Sequence, residues 1–175
     1  MNKRLIARAL RIRLALFDVD GVLTDGGIFL TRRGEETKRF NILDGLGLKM
    51  LAASGIELGI ISGRKSAVVA LRAKETGFTH VLQGVGDKLG AYHRLLKKRG
   101  LAEEQTSFMG DDLPDLPIMR RCGLAFSVPN APEIVRSHAH WVTQRAGGQG
   151  AVRDVCEFLM QARGTLEQQM APYLR

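Results

Sequence analysis

The sequence predicts an α/β fold in which a parallel sheet carries helices on both faces. Short apolar, β-branched runs alternate with segments of helical period, and acidic or hydroxyl residues follow several of the apolar runs. Right-handed crossovers would then join consecutive strands. Of the 175 residues, 45% are hydrophobic and 25% are charged, which is typical of a globular protein with a sizeable core. We therefore expect a single domain over 1–175.

The predicted elements follow one another along almost the whole chain. Strands are predicted at 13–19, 56–61, 79–82, 105–109, 123–126 and 139–142. Helices are predicted at 44–54, 65–76, 87–99, 114–121, 131–137 and 150–163. The basic segment 1–11 lacks the apolar core of a signal peptide, so we expect a short surface helix or arm there. The tail 165–175 has no strong helical period and is expected to be mobile.

A small β-hairpin insertion, about 27–40, interrupts the alternation. Two short strands at 27–31 and 36–40 flank a turn with Gly34. The hairpin directly follows the first strand and its loop, so we expect it to project over the strand ends. Ile28 and Leu30 would lie on one face, and an exposed apolar ribbon of this kind favours a protein partner.

Composition excludes several classes of function. The net charge is +8, but the basic residues are spread out and aromatic residues make up only 6%, so nucleic-acid binding is not expected. No apolar run reaches eighteen residues, so no membrane span is expected. The two cysteines, Cys122 and Cys156, lie in apolar surroundings and are predicted to be core thiols in the reducing cytoplasm.

Asp18 and Asp20 are the most informative residues, because they follow the apolar run 14–17 where a buried strand would end. Two close carboxylates do not ionise independently, so one can remain an anionic nucleophile while the other carries a proton. Such a pair can also hold a divalent cation. The alternative is a pair of solvated loop aspartates or a helix cap.

Ser62 and Gly63 follow a second apolar strand, just before a predicted helix. The Ser62 hydroxyl and the backbone N–H groups after it could surround phosphate oxygens. The alternative for Ser62 is a simple helix N-cap.

Lys88 would lie at the start of a helix, contrary to the preference set by the helix dipole. That position is explained if its ammonium group points at a phosphate and at the carboxylates. An isolated lysine would more often be a surface residue.

Asp111, Asp112 and Asp115 follow another apolar strand. We expect Asp111 to complete a Mg²⁺ site with Asp18 and the backbone carbonyl of Asp20, because this cation prefers oxygen ligands. Asp112 and Asp115 would not bind the metal directly but would support the residues that do. Asp115 would orient Lys88 or a water. Acidic capping of a helix near Pro114 is the alternative.

These four motifs, in this order, resemble the haloacid dehalogenase-like superfamily of aspartyl-phosphate enzymes over about residues 13–163. The resemblance implies a Rossmann-like three-layer fold and a phosphoaspartate on Asp18. Asp20 at its position favours a phosphatase within that superfamily. The segments 19–61 and 63–87 leave no room for a cap domain, so the hairpin and neighbouring subunits would have to enclose the site.

Longer stretches resemble the family of 3-deoxy-D-manno-octulosonate 8-phosphate phosphatases. They are DVDGVLTDG, GEETKRFNILDGLGLKML, ISGRK, GDDLPDLPIM and AGGQGAVRDVCEFL. The resemblance implies a magnesium-dependent homotetramer that acts on a small anionic sugar phosphate in lipopolysaccharide synthesis. It also implies that Gly63, Arg64 and Arg72 bind the sugar acid, with one or both arginines from a neighbouring subunit. Further substrate-site residues implied by the family are Asn41, Ile42, Leu43, Asp44, Gly45 and Lys49.

Two alternative functions stay open at this point. The first is a phosphatase for a related nonulosonate 9-phosphate, since those relatives share most of the motifs. The second is a non-catalytic assembly module of the same fold. Intact Asp18, Asp20, Ser62, Lys88 and Asp111 favour an enzyme over that module.

Overall fold

A six-stranded parallel sheet lies at the centre of the computed structural model, which describes residues 3–175. The strands of the chain are Leu14–Phe17 (β1), Phe29–Leu30 (β2), Glu36–Thr37 (β3), Glu57–Ile61 (β4), His80–Leu82 (β5), Thr106–Met109 (β6), Leu124–Ser127 (β7) and Trp141–Val142 (β8). The sheet has the order β5-β4-β1-β6-β7-β8, and all its neighbouring pairs are parallel. The predicted parallel sheet is therefore confirmed.

Helices cover both faces of this sheet. They are Lys3–Ala9 (α1), Ile42–Ala53 (α2), Ala67–Thr76 (α3), Lys88–Arg99 (α4), Leu116–Met119 (α5), Glu133–Arg136 (α6), Ala151–Ala162 (α7) and Leu166–Met170 (α8). Helix α2 packs against α3 and α7, and α4 packs against α5. Right-handed crossovers place α2 and α3 on one face, and α4 and α5 on the other, because the chain reverses its direction across the sheet after β5. None of the helices within 3–175 is long and apolar enough to cross a membrane.

One helix differs from the sequence prediction because of local chemistry. The helix predicted at 114–121 is a 3₁₀ turn at Leu113–Asp115 followed by the short α5. Pro114 and Pro117 lack N–H groups, so each is tolerated only near a helix start. At the N-terminus, α1 is the expected surface helix, and residues 1 and 2 of that prediction lie outside the described part of the chain.

The central strand β1 forms the middle of the core. Its four residues are buried, and Leu14 and Leu16 are completely inaccessible to solvent. A strand buried on both faces reads as a continuous apolar run, which is why this one was recognisable in the sequence. Cys122 and Cys156 are buried free thiols, as predicted.

The carboxyl ends of β1 and β6 define the place where a site can form. From β1 the chain leads first towards β4 and β5, and then returns to β6 on the other side of β1. A crevice opens at such a reversal in an open α/β sheet. The Asp18 N–H group donates a hydrogen bond of 2.9 Å to the Met109 carbonyl, so the residues after both strands begin side by side.

The hairpin exists but is smaller than predicted. Strands β2 and β3 pair antiparallel over two residues each, with Phe29 opposite Thr37 and Leu30 opposite Glu36. Ile28, Phe29 and Leu30 are each about half or more exposed. Because neighbouring strand residues face opposite sides, apolar surface is exposed on both faces of the hairpin rather than on one.

The C-terminal tail, in which the sequence shows no strong helical period, has regular structure. It forms α8 and a 3₁₀ turn at Ala171–Tyr173. Leu166 and Met170, four residues apart, pack against the core. One such pair is too short a pattern to be recognised as helical periodicity in the sequence.

A glycine pair before α7 contacts the loop that follows β1. A Cβ atom on Gly147 would lie 1.7 Å from the Gly21 carbonyl oxygen. The Gly148 N–H group donates a 3.0 Å hydrogen bond to the Val22 carbonyl. Only residues without a side chain allow this approach, so the two glycines hold the loop that carries Asp20 against the remainder of the domain.

Replacing Gly147 by alanine is expected to reduce the free energy of unfolding by about 1–3 kcal/mol, because the backbone at Gly21 must shift. Urea denaturation measures this change. Gly86→Ala is the matched control, since a Cβ there meets nothing within 4 Å, and its effect should stay below about 0.5 kcal/mol. Equal losses in the two variants would contradict the proposed contact.

Candidate active site

The predicted motifs meet in one cleft at the carboxyl edge of the sheet. The cleft has a volume of about 630 Å³. It is lined by Asp18, Asp20, Ser62, Gly63, Arg64, Val85, Gly86, Asp87, Lys88, Leu89, Asp111, Asp112, Pro114, Asp115 and Pro117. Every residue predicted to be catalytic, to bind metal or to support the metal site is in this set.

Lys88 connects two of the acidic motifs. Its Nζ atom lies 3.0 Å from Asp18 Oδ1 and 2.7 Å from Asp115 Oδ1. The lysine side chain is 8% exposed, so the alternative of a surface lysine is wrong. Burial by itself would lower the pKa of Lys88, but the carboxylates of Asp115 and Asp18 outweigh it and raise that pKa. The residue therefore stays a cation in the cleft.

Asp115 is fully buried and its two oxygens are both engaged within the chain. Oδ1 accepts from Lys88, and Oδ2 accepts from the N–H groups of Asp111 and Asp112 at 3.0 and 3.3 Å. Asp112 accepts the Leu113 N–H group and so caps the 3₁₀ turn. Asp115 orients Lys88, as expected, and the capping alternative is also correct for Asp112.

Asp111 differs from Asp115 because one of its oxygens is unsatisfied. Its Oδ1 atom is buried and has no hydrogen-bond partner among the described residues. Oxygen atoms of Asp18, Asp111 and Asp115 all lie within 4.8 Å of one another. A Cβ on Gly21 would lie 1.9 Å from Asp111 Oδ2, so glycine is needed for this carboxylate to enter the site.

This donor set fits a hard divalent cation. Mg²⁺ takes carboxylate and carbonyl oxygens and retains several waters, so a few protein ligands are enough. The unsatisfied oxygen of Asp111 beside Asp18 supplies that chemistry, and Mg²⁺ is the cofactor. Asp18, Asp111 and the backbone carbonyl of Asp20 are the residues that would hold it.

Crowding of the carboxylates changes their acidity. Burial, followed by the charge of Asp115, raises the pKa of Asp18 to about 7. Burial, followed by the charge of Asp18, raises the pKa of Asp111 to about 8. Both groups resist ionisation because negative charge is concentrated in a poorly solvated place. A bound divalent cation offsets that charge.

Ser62 lies in the cleft and does not cap the helix that follows it. Helix α3 begins at Ala67 and has Ser66 at its N-cap position, so the alternative of Ser62 as an N-cap is wrong. The Ser62 side chain is buried and lines the cleft. Its N–H group donates a hydrogen bond of 2.9 Å to the Leu82 carbonyl, so that N–H group is not available to a ligand.

Arg64 lies at the rim of the cleft. Its Nη2 atom donates a hydrogen bond of 2.8 Å to Glu36 Oε1, and its Nε atom is 3.6 Å from Asp20 Oδ2. The side chain is 49% exposed. An exposed guanidinium at the edge of an acidic cleft can bind a carboxylate of a ligand.

The other residues expected to bind substrate do not line this cleft within one chain. Asn41 caps α2, and its side-chain NH₂ group donates to the Gly148 carbonyl. Asp44 is buried and accepts the Arg153 N–H group, and burial raises its pKa. Arg72 donates to the Asn41 carbonyl and to Glu75. The remaining residues expected to bind substrate lie on α2, and they are Ile42, Leu43, Gly45 and Lys49.

Sequence reasoning missed Lys38. It lies just after β3, its side chain is buried, and its Nζ atom forms an ion pair with Asp20. In the sequence it is one of several basic residues in a polar hairpin, and no local pattern distinguishes it. Alternation along β3 places Lys38 and Glu36 on the same side, but which side faces the cleft depends on the tertiary structure.

Comparison with known proteins agrees with this geometry. Residues 64–154 match the haloacid dehalogenase-like hydrolase family, and the parallel sheet and acidic cleft are those of this class of hydrolase. A 3-deoxy-D-manno-octulosonate 8-phosphate phosphatase of Yersinia pestis is 45% identical over 93% of this chain and 87% of its own. The chain belongs to the haloacid dehalogenase-like hydrolases, in the family of the 3-deoxy-D-manno-octulosonate 8-phosphate phosphatases.

Solved structures extend the similarity to the whole fold. A probable phosphatase from Pseudomonas syringae has a TM-score of 0.97 and 50% identity, covering 99% of both chains. The 3-deoxy-D-manno-octulosonate 8-phosphate phosphatase of Moraxella catarrhalis has a TM-score of 0.96 and 44% identity, also covering 99% of both. That enzyme was solved in complex with magnesium ion, phosphate ion and KDO.

The raised pKa values of Asp18 and Asp111 predict how stability depends on pH when no metal is present. The folded chain keeps protons on Asp18 and Asp111 that the unfolded chain releases near pH 3.8. Stability without metal should therefore fall as pH rises from 3.8 to about 8. Asp111→Asn removes part of this effect, so the variant should melt on the order of 2–4 °C higher than the parent at pH of about 8.

Thermal melts followed by circular dichroism in a chelating buffer measure this difference. Glu167→Gln is the control, because Glu167 is exposed on α8 and far from the cleft. Adding magnesium should stabilise the parent and have less effect on Asp111→Asn. A variant that melts below the parent across the whole pH range would contradict the assignment.

Proposed function

We propose that this protein is a magnesium-dependent phosphatase that hydrolyses 3-deoxy-D-manno-octulosonate 8-phosphate to the free sugar acid and phosphate, in lipopolysaccharide precursor synthesis. The observation that carries the proposal is the cluster of Asp18, Asp111 and Lys88 in one cleft, in a chain 45% identical to phosphatases of that name. A nucleophilic carboxylate, a cation site and a buried ammonium group are the parts that phosphoryl transfer requires.

In the first step, a carboxylate oxygen of Asp18 attacks the phosphorus atom and forms a phosphoaspartate. The bond between phosphorus and the sugar oxygen breaks, and its electron pair passes to that oxygen. The carboxyl group of Asp20 donates a proton to the oxygen as it leaves. Lys88 and the Ser62 hydroxyl stabilise the negative charge on the equatorial phosphate oxygens.

In the second step, a water oxygen attacks the phosphorus atom of the phosphoaspartate. The Asp20 carboxylate accepts the proton of this water, which restores its carboxyl group. The bond from phosphorus to Asp18 breaks, and its electron pair returns to the Asp18 carboxylate. When bound, Mg²⁺ supplies positive charge that neutralises and orients the phosphate group.

We further propose that a homotetramer completes each site. Ile42 is 81% exposed and Leu71 is 71% exposed, close in sequence to the substrate residues that do not line the cleft of their own chain. Together with the exposed hairpin, this apolar surface suits association with further copies of the chain. The accessible members of this set, Asn41, Ile42, Leu43, Lys49 and Arg72, would then contribute to a neighbouring subunit's substrate site, whereas Asp44 and Gly45 are buried and would support them from within their own chain. Lys49 and Arg72 add positive charge for the carboxylate of the substrate.

The activity would reside in a single domain over 1–175 and would operate in the cytoplasm. Two buried free thiols are compatible with a reducing compartment.

A phosphate-release assay across sugar phosphates tests the substrate, with and without magnesium. We expect kcat/KM to be highest for 3-deoxy-D-manno-octulosonate 8-phosphate and activity to disappear in a chelating buffer. Faster hydrolysis of a nonulosonate 9-phosphate would assign the protein to that substrate. If the protein releases phosphate from none of the sugar phosphates, either with or without magnesium, the result would favour the non-catalytic assembly module.

Asp18→Asn should reduce turnover at least about 1,000-fold with the fold retained, because an amide cannot replace the carboxylate nucleophile. Phosphate release measures the loss, and circular dichroism checks the fold. Glu133→Gln makes the same chemical change at a side chain that is 81% exposed, and it should leave turnover unchanged. Near-parental phosphate release by purified Asp18→Asn would overturn the mechanism.

Leu30→Asp should dissociate the proposed tetramer, because a carboxylate on the apolar hairpin opposes its burial between chains. Light scattering coupled to size exclusion is expected to give four chain masses for the parent and fewer for the variant. Arg33→Asp, in the exposed turn of the same hairpin, is the control. A parent that elutes as a monomer at working concentration would refute the assembly.

A further inference from the structure

Lys38 is a buried cation to which the mechanism above assigns no role. Its side chain is 0% exposed, and its Nζ atom pairs with Oδ1 of Asp20. Burying an ammonium group away from water costs free energy, and the group stays charged only when a nearby carboxylate compensates for the lost hydration. The ion pair between Lys38 of the hairpin and Asp20 therefore restricts the movement of both side chains.

The surroundings of Lys38 form a closed ring of four charges. Nζ of Lys38 lies 3.2 Å from Glu36 Oε1, which also accepts the 2.8 Å hydrogen bond from Arg64 Nη2. The ring closes where Arg64 Nε lies 3.6 Å from the second carboxylate oxygen of Asp20. While Asp20 is ionised, two cations and two carboxylates alternate and the ring has no net charge. When Asp20 carries the proton that it donates in the first step, Glu36 still pairs with both cations and the ring has a charge of +1.

The two cations that face Asp20 differ in their exposure. The Arg64 side chain is 49% exposed, so solvent screens its contact with Asp20 and leaves it able to turn towards a ligand. The Lys38 side chain is enclosed and has no comparable freedom. Of the two, Lys38 is the group that fixes the orientation of the Asp20 carboxyl group.

We propose that Lys38 is a positioning residue, which holds the Asp20 carboxyl group in place for proton transfer to the leaving oxygen of the substrate. This inference rests on the proposed function, because it assumes that Asp20 is the acid of the first step. It gives the hairpin a role in the active site of its own subunit. A proton is transferred efficiently only when donor and acceptor are held within hydrogen-bond reach.

Substrates whose leaving groups differ in their need for a proton distinguish a positioning role of Lys38 from a merely structural one. A sugar alkoxide needs the proton from Asp20, whereas 4-nitrophenolate leaves without it. In single-turnover experiments, Lys38→Met should slow cleavage of a sugar phosphate by about 100-fold, because positioned acid catalysis contributes about 10²–10⁴-fold. The release of 4-nitrophenolate from 4-nitrophenyl phosphate should slow by less than about 10-fold.

Two further variants control for charge and location. Lys38→Arg keeps a cation beside Asp20, so the ratio of the two single-turnover rates should stay close to that of the parent. Arg33→Met removes one positive charge from the exposed turn of the same hairpin and should change neither rate. If Lys38→Met does not melt cooperatively, the double variant Glu36→Gln/Lys38→Met, which keeps the ring neutral, takes its place.

An equal loss of both rates in Lys38→Met, or in the double variant, would overturn the positioning role. The sugar phosphate in this comparison is the one that the parent cleaves fastest in the panel. If the parent does not act on 3-deoxy-D-manno-octulosonate 8-phosphate, the proposed substrate fails, but the comparison still tests Lys38. Failure of the proposed function and failure of this inference are therefore distinct results.

Discussion

The carboxylates of Asp18, Asp111 and Asp115 lie within 4.8 Å of one another, and Lys88 is buried beside them. Three acidic groups next to one ammonium group leave an excess of negative charge in a place with little water. Burial first, and then this excess of negative charge, raise the pKa of Asp18 to about 7 and the pKa of Asp111 to about 8. A divalent cation removes the excess, and the site then favours a phosphate group. The requirement for metal follows from this crowding.

Much of the surrounding structure serves to bring these groups together. Parallel pairing places the ends of β1 and β6 side by side, and Gly21 leaves room for the Asp111 carboxylate. Gly147 and Gly148 press against the loop after β1 from the other side. A position without a side chain is needed at each of these contacts, because the backbone or carboxylate occupies the place of a Cβ atom.

The hairpin combines two kinds of surface in very few residues. Phe29 and Leu30 expose apolar area, whereas Lys38 forms ion pairs with Glu36 and with Asp20, a residue of the cleft. An enclosed salt bridge costs free energy in desolvation unless its partners are well placed, so ion pairs of this kind constrain geometry more than they stabilise the fold. The same short segment can thus orient an active-site carboxylate and present a surface for association.

The sequence by itself determined the fold class, the parallel sheet and the residues that enter the cleft. Buried strands read as apolar runs, and Asp18, Ser62 and Asp111 lie within two residues of the ends of three of them, so the carboxyl edge of the sheet was predictable. Local chemistry also indicated Lys88, because a cation at a helix start needs an explanation. The positions of such residues can be read from the sequence because strands repeat every two residues and helices every 3.6, which locates the ends of both.

The tertiary structure decided matters that depend on contacts between distant segments. It showed that Asp115 is satisfied while Asp111 keeps an unpaired oxygen, although both belong to one motif. It placed Lys38 against Asp20, packed α8 onto the core, and separated Arg72 from the cleft of its own chain. Burial and pairing depend on which surfaces meet after folding, and residues far apart in the sequence carry no local sign of that meeting.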